Sequence, residues 1–294
     1  MIEDMTIEGR LYIFQAFTSS STLLRVVAQD LFKFGQYFAV LVFGDSTVDS
    51  GNNNYIGTPF KANFPPYGID FVNHVPTGRF TNGRLVTDFV ASYTGIKDHV
   101  PPYLDPTLSL EDMMTGVCFA SAGSGYDALK AQISSVSPVQ KQLEYFKEYK
   151  TKLENSIGEE RTKSLISNAA FLISAGTNDF VINYYGAPYR CLKYDIASYQ
   201  QFIMQHQIQF IQGLIDEGAR LIALVGLPPM GCLPVVITLT SGATFPRRAC
   251  YESLSSLAIE YNQKLQYEMK AMQTDDGPMV VCFDIYQPLI NIFV

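Results

Sequence analysis

Short apolar runs separated by helix-length stretches restrict this chain to one kind of architecture. Phe38–Phe43 (FAVLVF), Ala169–Ser174 (AAFLIS) and Leu221–Val225 (LIALV) carry no charge, so neither face of these strands suits water. Strands buried on both faces belong to a parallel sheet covered by helices. Val117–Ala120 and Met279–Phe283 read as further strands. Between them, Leu85–Tyr93 places Leu85, Val86, Phe89, Val90 and Tyr93 at helical spacing. Ser137 and Pro138 open a helix with Val139, Leu143, Phe146, Tyr149 and Leu153 on one face. Asp195 caps another through Tyr199, Phe202, Ile203, Phe210 and Leu214, closed at Gly218, and one more covers roughly Tyr251–Met272. Strand and helix alternate to the end, which predicts an α/β fold with one parallel sheet between two helical layers. Residues 38–294 form one domain.

Composition removes the main competitors. With 47% hydrophobic and 17% charged residues over 294 positions, the chain buries enough surface to offset its ordering entropy, which excludes disorder. Lys and Arg number 21 against 28 Asp and Glu, a net charge of −7 with no basic cluster. That excludes a nucleic acid or anionic membrane partner. No apolar stretch reaches the ~20 residues of a membrane-spanning helix. Of five cysteines, at least one stays unpaired. A bridge such as Cys232 to Cys250 and a set of five free thiols both fit the spacing. Residues 1–37 read as an atypical extension, with Thr22–Phe34 as an amphipathic helix. Glu3, Asp4 and Glu8 stand where a secretory signal carries positive charge, so no convincing signal peptide is read here. No N-x-S/T acceptor occurs.

In open parallel sheets, reactive groups lie just past the C-terminal ends of strands. Three such ends here carry polar chemistry: Gly44-Asp45-Ser46-Thr47, Ser121-Ala122-Gly123-Ser124-Gly125 and Gly176-Thr177-Asn178-Asp179. A serine entering a helix from a strand is well placed as a nucleophile, and nearby N–H groups can hold a developing oxyanion. Gly123 offers a backbone N–H and Asn178 a side-chain amide. Each motif alone is an ordinary turn. Their joint appearance at successive strand ends points to acyl transfer.

Six stretches together resemble the plant GDSL esterase/lipases of the SGNH hydrolase superfamily. They are FGDSTVDSGNNN (Phe43–Asn54), FPPYGIDF (Phe64–Phe71), PTGRFTNGR (Pro76–Arg84), GVCFASAGSGYD (Gly116–Asp127), ISAGTNDF (Ile173–Phe180) and GLPPMGCLP (Gly226–Pro234). The resemblance runs from about Ala39 to Tyr286. It implies a three-layer α/β/α sandwich of SGNH-hydrolase, flavodoxin-like type and hydrolysis of acyl or lipid esters by a secreted monomer, with no metal or cofactor. By position it makes Ser46 the nucleophile, its own N–H joining Gly123 and Asn178 in the oxyanion hole. Asp45 and Asp179 become supporting residues; Arg79 and Asn82 belong to a block near the site without an assigned role. Thr47 replaces the family's Leu, and Cys118 stands where the family has Asn.

One departure bears on mechanism. The family's catalytic His and Asp lie in a D-x-x-H block, and this sequence contains none. Its histidines are His74, in a loop before the TGRF block, His99, in a surface-like loop, and His206, on a helix explained by packing. The expectation is a C-terminally truncated, nearly inactive chain whose apolar residues 288–294 lie uncovered. The rival is a non-catalytic binding protein. A dinucleotide site is the other competitor, because Gly123-Ser-Gly125-Tyr-Asp-Ala128 fits G-x-G-x-x-A with Glu144 about twenty residues on. Ser134, Ser135 and Pro138 argue against an adequate helix for the pyrophosphate.

Overall fold

A computed structural model of the chain describes residues 38–240, 249–274 and 277–293. The expected helix at Thr22–Phe34, and the whole extension 1–37, lie outside the described residues. Four strands, β1 (Ala39–Gly44), β2 (Ala169–Ser174), β3 (Leu221–Val225) and β4 (Met279–Phe283), form one all-parallel sheet in that spatial order. The register sets Ala39 beside Ala169, Ala170 beside Leu221 and Leu221 beside Met279. In chain order the helices are α1 (Val86–Tyr93), α2 (Leu110–Thr115), α3 (Ala128–Ser134), α4 (Val139–Ile157) and α5 (Glu159–Ser167). They continue with α6 (Pro188–Cys191), α7 (Ile196–Asp216), α8 (Pro234–Thr240), α9 (Glu252–Met272) and α10 (Tyr286–Phe293).

Successive strand side chains point to opposite faces, so β1 divides itself between two cores. Ala39, Leu41 and Phe43 join β2's Phe171 and β3's Leu224 in a large core closed by Phe146 of α4, Phe210 of α7 and Tyr261 of α9. Phe43 lies at its centre, stacked on Phe119 and Phe171 and meeting Phe146 and Phe210 edge-on. Val40 and Val42 point the other way, into a smaller core with Val90 and Ala91 of α1, Leu172 and Ala223. This is the three-layer arrangement of the sequence reading.

Three local expectations change. Val117–Ala120 does not form a regular strand; it makes single bridges from Cys118 to Val42 and to Pro102. Its outer neighbours are Pro101 and Pro102, which have no N–H to offer a ladder. The segment still donates Phe119 N–H to Val42 O at 2.7 Å, so it lies beside β1 on the side away from β2. Second, Ser137 does not cap α4; the cap position is Pro138, whose carbonyl accepts from Lys141 N and Gln142 N and whose side chain makes no capping bond. Third, residues 286–293, expected to trail uncovered from Pro288 on, fold as α10, which buries Leu289 and leaves Ile292 half-exposed. Asp195 caps α7 as expected, its carboxylate accepting from Ser198 N at 2.7 Å. Cys232 and Cys250 form a disulfide, and Cys118, Cys191 and Cys282 stand outside any bridge. Among the described residues no helix is long and apolar enough to cross a membrane.

Candidate active site

Counting the bridged segment 117–120, the sheet order reverses direction at β1: the chain goes first to one side of it, then to the other. The crevice at such a switch point is where open α/β sheets bind ligands. The three predicted motifs leave the sheet there. Ser46, Gly123 and Asn178 line one cavity of about 290 Å3, together with Phe60, Tyr67 and Phe80. None of the three histidines lines it among the described residues. His74 is exposed, with Nδ1 on Ile69 O; His206 bonds Phe202 O of its own helix; His99 packs against Phe71.

The turn after β1 is built by side chains that hold backbone. Asp45 N–H donates to Ser174 O at 3.0 Å, which ties the turn to the end of β2. The buried Asp45 carboxylate accepts from Thr47 N at 2.9 Å and Thr47 Oγ1 at 2.8 Å. Burial pushes this acid up to about 6, the two Thr47 bonds pulling the other way. Asp45 O accepts from Val48 N at 3.2 Å and Asp49 N at 3.0 Å. Ser46 is half-buried, and neither its N–H nor its Oγ has a partner among the described residues.

The second turn needs glycine twice. Gly123 has φ +85°, in the left-handed region, while a Cβ there would meet only ordinary contacts at 3.7 Å from Val136. The constraint is backbone conformation and not space. At Gly125 the constraint is space, because a Cβ would lie 2.5 Å from Asp179 Oδ1. That closeness lets the buried Asp179 accept from Tyr126 N at 3.0 Å and Asp127 N at 2.9 Å, so the third motif pins the second. Burial drives the Asp179 carboxyl up to about 7. Asn178 donates one Nδ2 hydrogen to Ser124 O at 2.9 Å, which leaves its other hydrogen for a ligand. Gly123 N–H has no partner among the described residues.

Several supporting residues were not singled out in the sequence. Gln142, wholly buried on α4, accepts from Gly44 N at 2.8 Å and donates back to Gly44 O at 2.8 Å. The signal was a glutamine three residues after Val139 and four before Phe146, inside an apolar stripe. Asp49 accepts from Gly51 N, Asn52 N and Ala122 N at 2.8 to 2.9 Å, and burial raises it to about 6. Asn52 and Asn53 bind backbone around 118–122. Arg79, unassigned before, makes a buried two-point pair with Asp88 at 2.9 and 3.0 Å and donates to Val100 O, so it anchors α1 to the loop before it. Asn82 is buried in the same block and its carbonyl accepts from Asp70 N.

The G-x-G-x-x-A reading meets a physical obstacle. A seven-residue helix, α3, does follow the motif, contrary to the expected lack of one. Its N-terminus is already occupied by the Asp127 carboxylate, which accepts from Leu129 N at 3.0 Å and is held by Arg190 through two bonds at 2.6 Å. An acid in that place repels a pyrophosphate.

The family model for GDSL-like lipase/acylhydrolase matches residues 40–292. Among curated proteins of Arabidopsis thaliana, GDSL esterase/lipase At5g45960 is 54% identical over 257 residues, covering 86% of this chain and 68% of the relative. GDSL esterase/lipase At1g06990 is 48% identical over 254 residues, with 86% and 70% covered. GDSL esterase/lipase At2g24560 is 40% identical over 296 residues, with 99% and 79% covered.

Proposed function

Because the chain belongs to the GDSL-like lipase/acylhydrolase family, it is a serine carboxylic ester hydrolase, and we propose that Ser46 is its nucleophile. One observation carries the assignment: Ser46 N–H, Gly123 N–H and one Asn178 hydrogen are unspent around a single cavity that also holds Ser46. Ser46 Oγ attacks the ester carbonyl carbon, and the charge growing on the carbonyl oxygen is taken up by these three donors. The C–O bond to the alcohol then breaks, the alcohol leaving with a proton, and Ser46 carries the acyl group. Water attacks the acyl-serine, releasing the acid and restoring the hydroxyl.

None of His74, His99 and His206 is assigned as the base that takes the Oγ proton. With these residues acting alone, the proton passes to a base from solution, so added imidazole raises the rate. The wall of the cavity fits a neutral acyl group, with Phe60, Tyr67, Phe80, Val181 and Leu233 along it and no Lys, Arg or His among its described residues. At ~30 Å3 for a group the size of a methylene or water, 290 Å3 takes about eight to ten carbons. Acyl and lipid esters of that length are the substrates in this reading. A monomer is part of this reading, since Ser46, Gly123 and Asn178 all come from one chain. Secretion belongs to the same reading, supported by the Cys232–Cys250 bridge, which an oxidising compartment sustains.

The test is labelling by a fluorophosphonate probe and turnover of p-nitrophenyl esters, each with and without imidazole. Ser46→Ala is expected to abolish both, and mass spectrometry is expected to place the adduct on Ser46. Asn178→Ala is expected to lower kcat about 10²–10³-fold with little change in KM. Wild-type turnover by Ser46→Ala refutes the assignment.

A further inference from the structure

Given Ser46, Gly123 and Asn178 as the reacting set, the hydrogen bonds around them reveal what aims the Gly123 donor. In a trans peptide, the C=O of one residue and the N–H of the next share a plane and point in opposite directions. Gly123 N–H therefore points away from Ala122 O, and whatever holds that oxygen sets the direction of the donor. Asn53 holds it. Its Nδ2 donates to Ala122 O at 3.0 Å and to Phe60 O at 2.8 Å. Its Oδ1 accepts from Ser121 Oγ, which in turn accepts from Ser137 N at 3.1 Å. Both ends of the Asn53 amide are thus anchored, in a side chain with no exposure at all.

The peptide before it is held at both ends as well. Ser121 O accepts from Ser124 N at 3.1 Å, and Ala122 N donates to Asp49 Oδ2 at 2.9 Å. Ser46 differs from Gly123 here. The oxygen opposite Ser46 N–H is Asp45 O, held by the N–H groups of Val48 and Asp49 within the same turn. Of the two backbone donors, Gly123 alone has the carbonyl of its own peptide held by a side chain from a distant stretch of sequence.

We propose that Asn53 is a positioning residue of the oxyanion hole, acting through the Ala122–Gly123 peptide. It does not line the cavity and touches no substrate. It fixes the plane whose free edge is the Gly123 N–H, and by donating to the carbonyl it polarises that peptide and strengthens the N–H as a donor.

Asn53→Asp keeps the size and the acceptor toward Ser121 Oγ, but sets a carboxylate oxygen against Ala122 O. Its p-nitrophenyl butyrate turnover and urea midpoint are measured beside wild type, Ser46→Ala and Asn53→Leu across pH, with imidazole present. The expected result is a kcat at least ~10-fold below wild type with KM within about two-fold. The ratio to wild type is expected to recover as pH falls, because the introduced carboxyl takes a proton and donates again. Asn53→Leu cannot donate and is expected to stay low at every pH. A folded Asn53→Asp with wild-type kcat, or a loss that ignores pH and equals that of Asn53→Leu, overturns the inference alone. Wild-type turnover by Ser46→Ala, or none above buffer in the wild type, overturns the reading of the site and the inference with it. If Asn53→Asp does not fold, Ser121→Ala decides. It frees Oδ1 of Asn53, and an unchanged kcat there is equally fatal.

Discussion

Replacing Gln142 by methionine tests how the turn that carries Ser46 is held. The side chain keeps its length and loses every polar atom. Gly44 N–H, which donates to Gln142 Oε1 at 2.8 Å, is left buried without an acceptor, at about 1–3 kcal/mol. Gly44 O loses one bond but keeps those from Ser121 N at 3.1 Å and Ser124 Oγ at 2.8 Å, so it is not orphaned. The bond to Ser137 O, at 3.3 Å, is long and adds less. The sum is a loss of about 2–3 kcal/mol. Gln142→Glu is expected to be worse at pH 8 although it keeps the acceptor for Gly44 N–H. It sets a buried negative charge against Gly44 O and Ser137 O, at a cost of about 3 kcal/mol or more. Urea unfolding followed by circular dichroism reads both, with the slope unchanged. Gln142→Met within about 0.5 kcal/mol of wild type, or Gln142→Glu milder than Gln142→Met at pH 8, refutes the reasoning.

Stability is expected to fall from pH 5 to pH 8. Asp45, Asp49 and Asp179 are raised by burial from 3.8 to about 6, 6 and 7, so the folded state binds their protons more tightly than the unfolded state. Their contribution is full below pH ~4 and is lost as pH rises through those values. His99, lowered by burial, works in the opposite sense, its contribution present above its ordinary value of 6.5. Urea midpoints at the two pH values check the slope, and Asp179→Asn is expected to flatten it; a rise from pH 5 to 8 in wild type contradicts the account. Reducing Cys232–Cys250, 18 residues apart, is expected to cost about 3 kcal/mol by unfolding with and without dithiothreitol. Among p-nitrophenyl esters, kcat/KM is expected to peak at chains of about eight to ten carbons. Val181→Phe is expected to move the peak to shorter acids; an unmoved peak would show that the acyl group lies elsewhere.

Strands with no polar face and helices with capped, striped sequences were legible because burial writes a period into the residues. Val117–Ala120 was legible as apolar but not as bridged, because its ladder is limited by Pro101 and Pro102 on a neighbouring segment. The three proposed site residues could be read because each lies within a few residues of the end of an apolar run. Gln142, Asp49 and Asn53 could not, because their work is done on backbone about 70 to 100 residues away. A polar residue on an apolar stripe, or three asparagines in a row, signals that something buried is being bonded. It does not say what.

The order of the sheet places the proposed catalytic residues and part of the cavity lining on strands of different packing, which bears on local opening. Ser46, Gly123 and Asn178 hang from β1, its bridged neighbour and β2, where side chains pack on both faces. Pro228, Leu233 and Val235, which also line the cavity, follow β3, whose outer neighbour β4 is the last strand of the sheet among the described residues and begins at the exposed Met279. Regions with less packing open at lower free energy than the whole molecule. Amide hydrogens of β4 and α10 are therefore expected to exchange before those of β1 and β2. In the proposed reading, brief openings on that side would reshape the part of the cavity given to the acyl chain while Ser46, Gly123 and Asn178 stay in register. Drift in sequence on the β4 side can retune which esters fit without rebuilding the machinery that cleaves them.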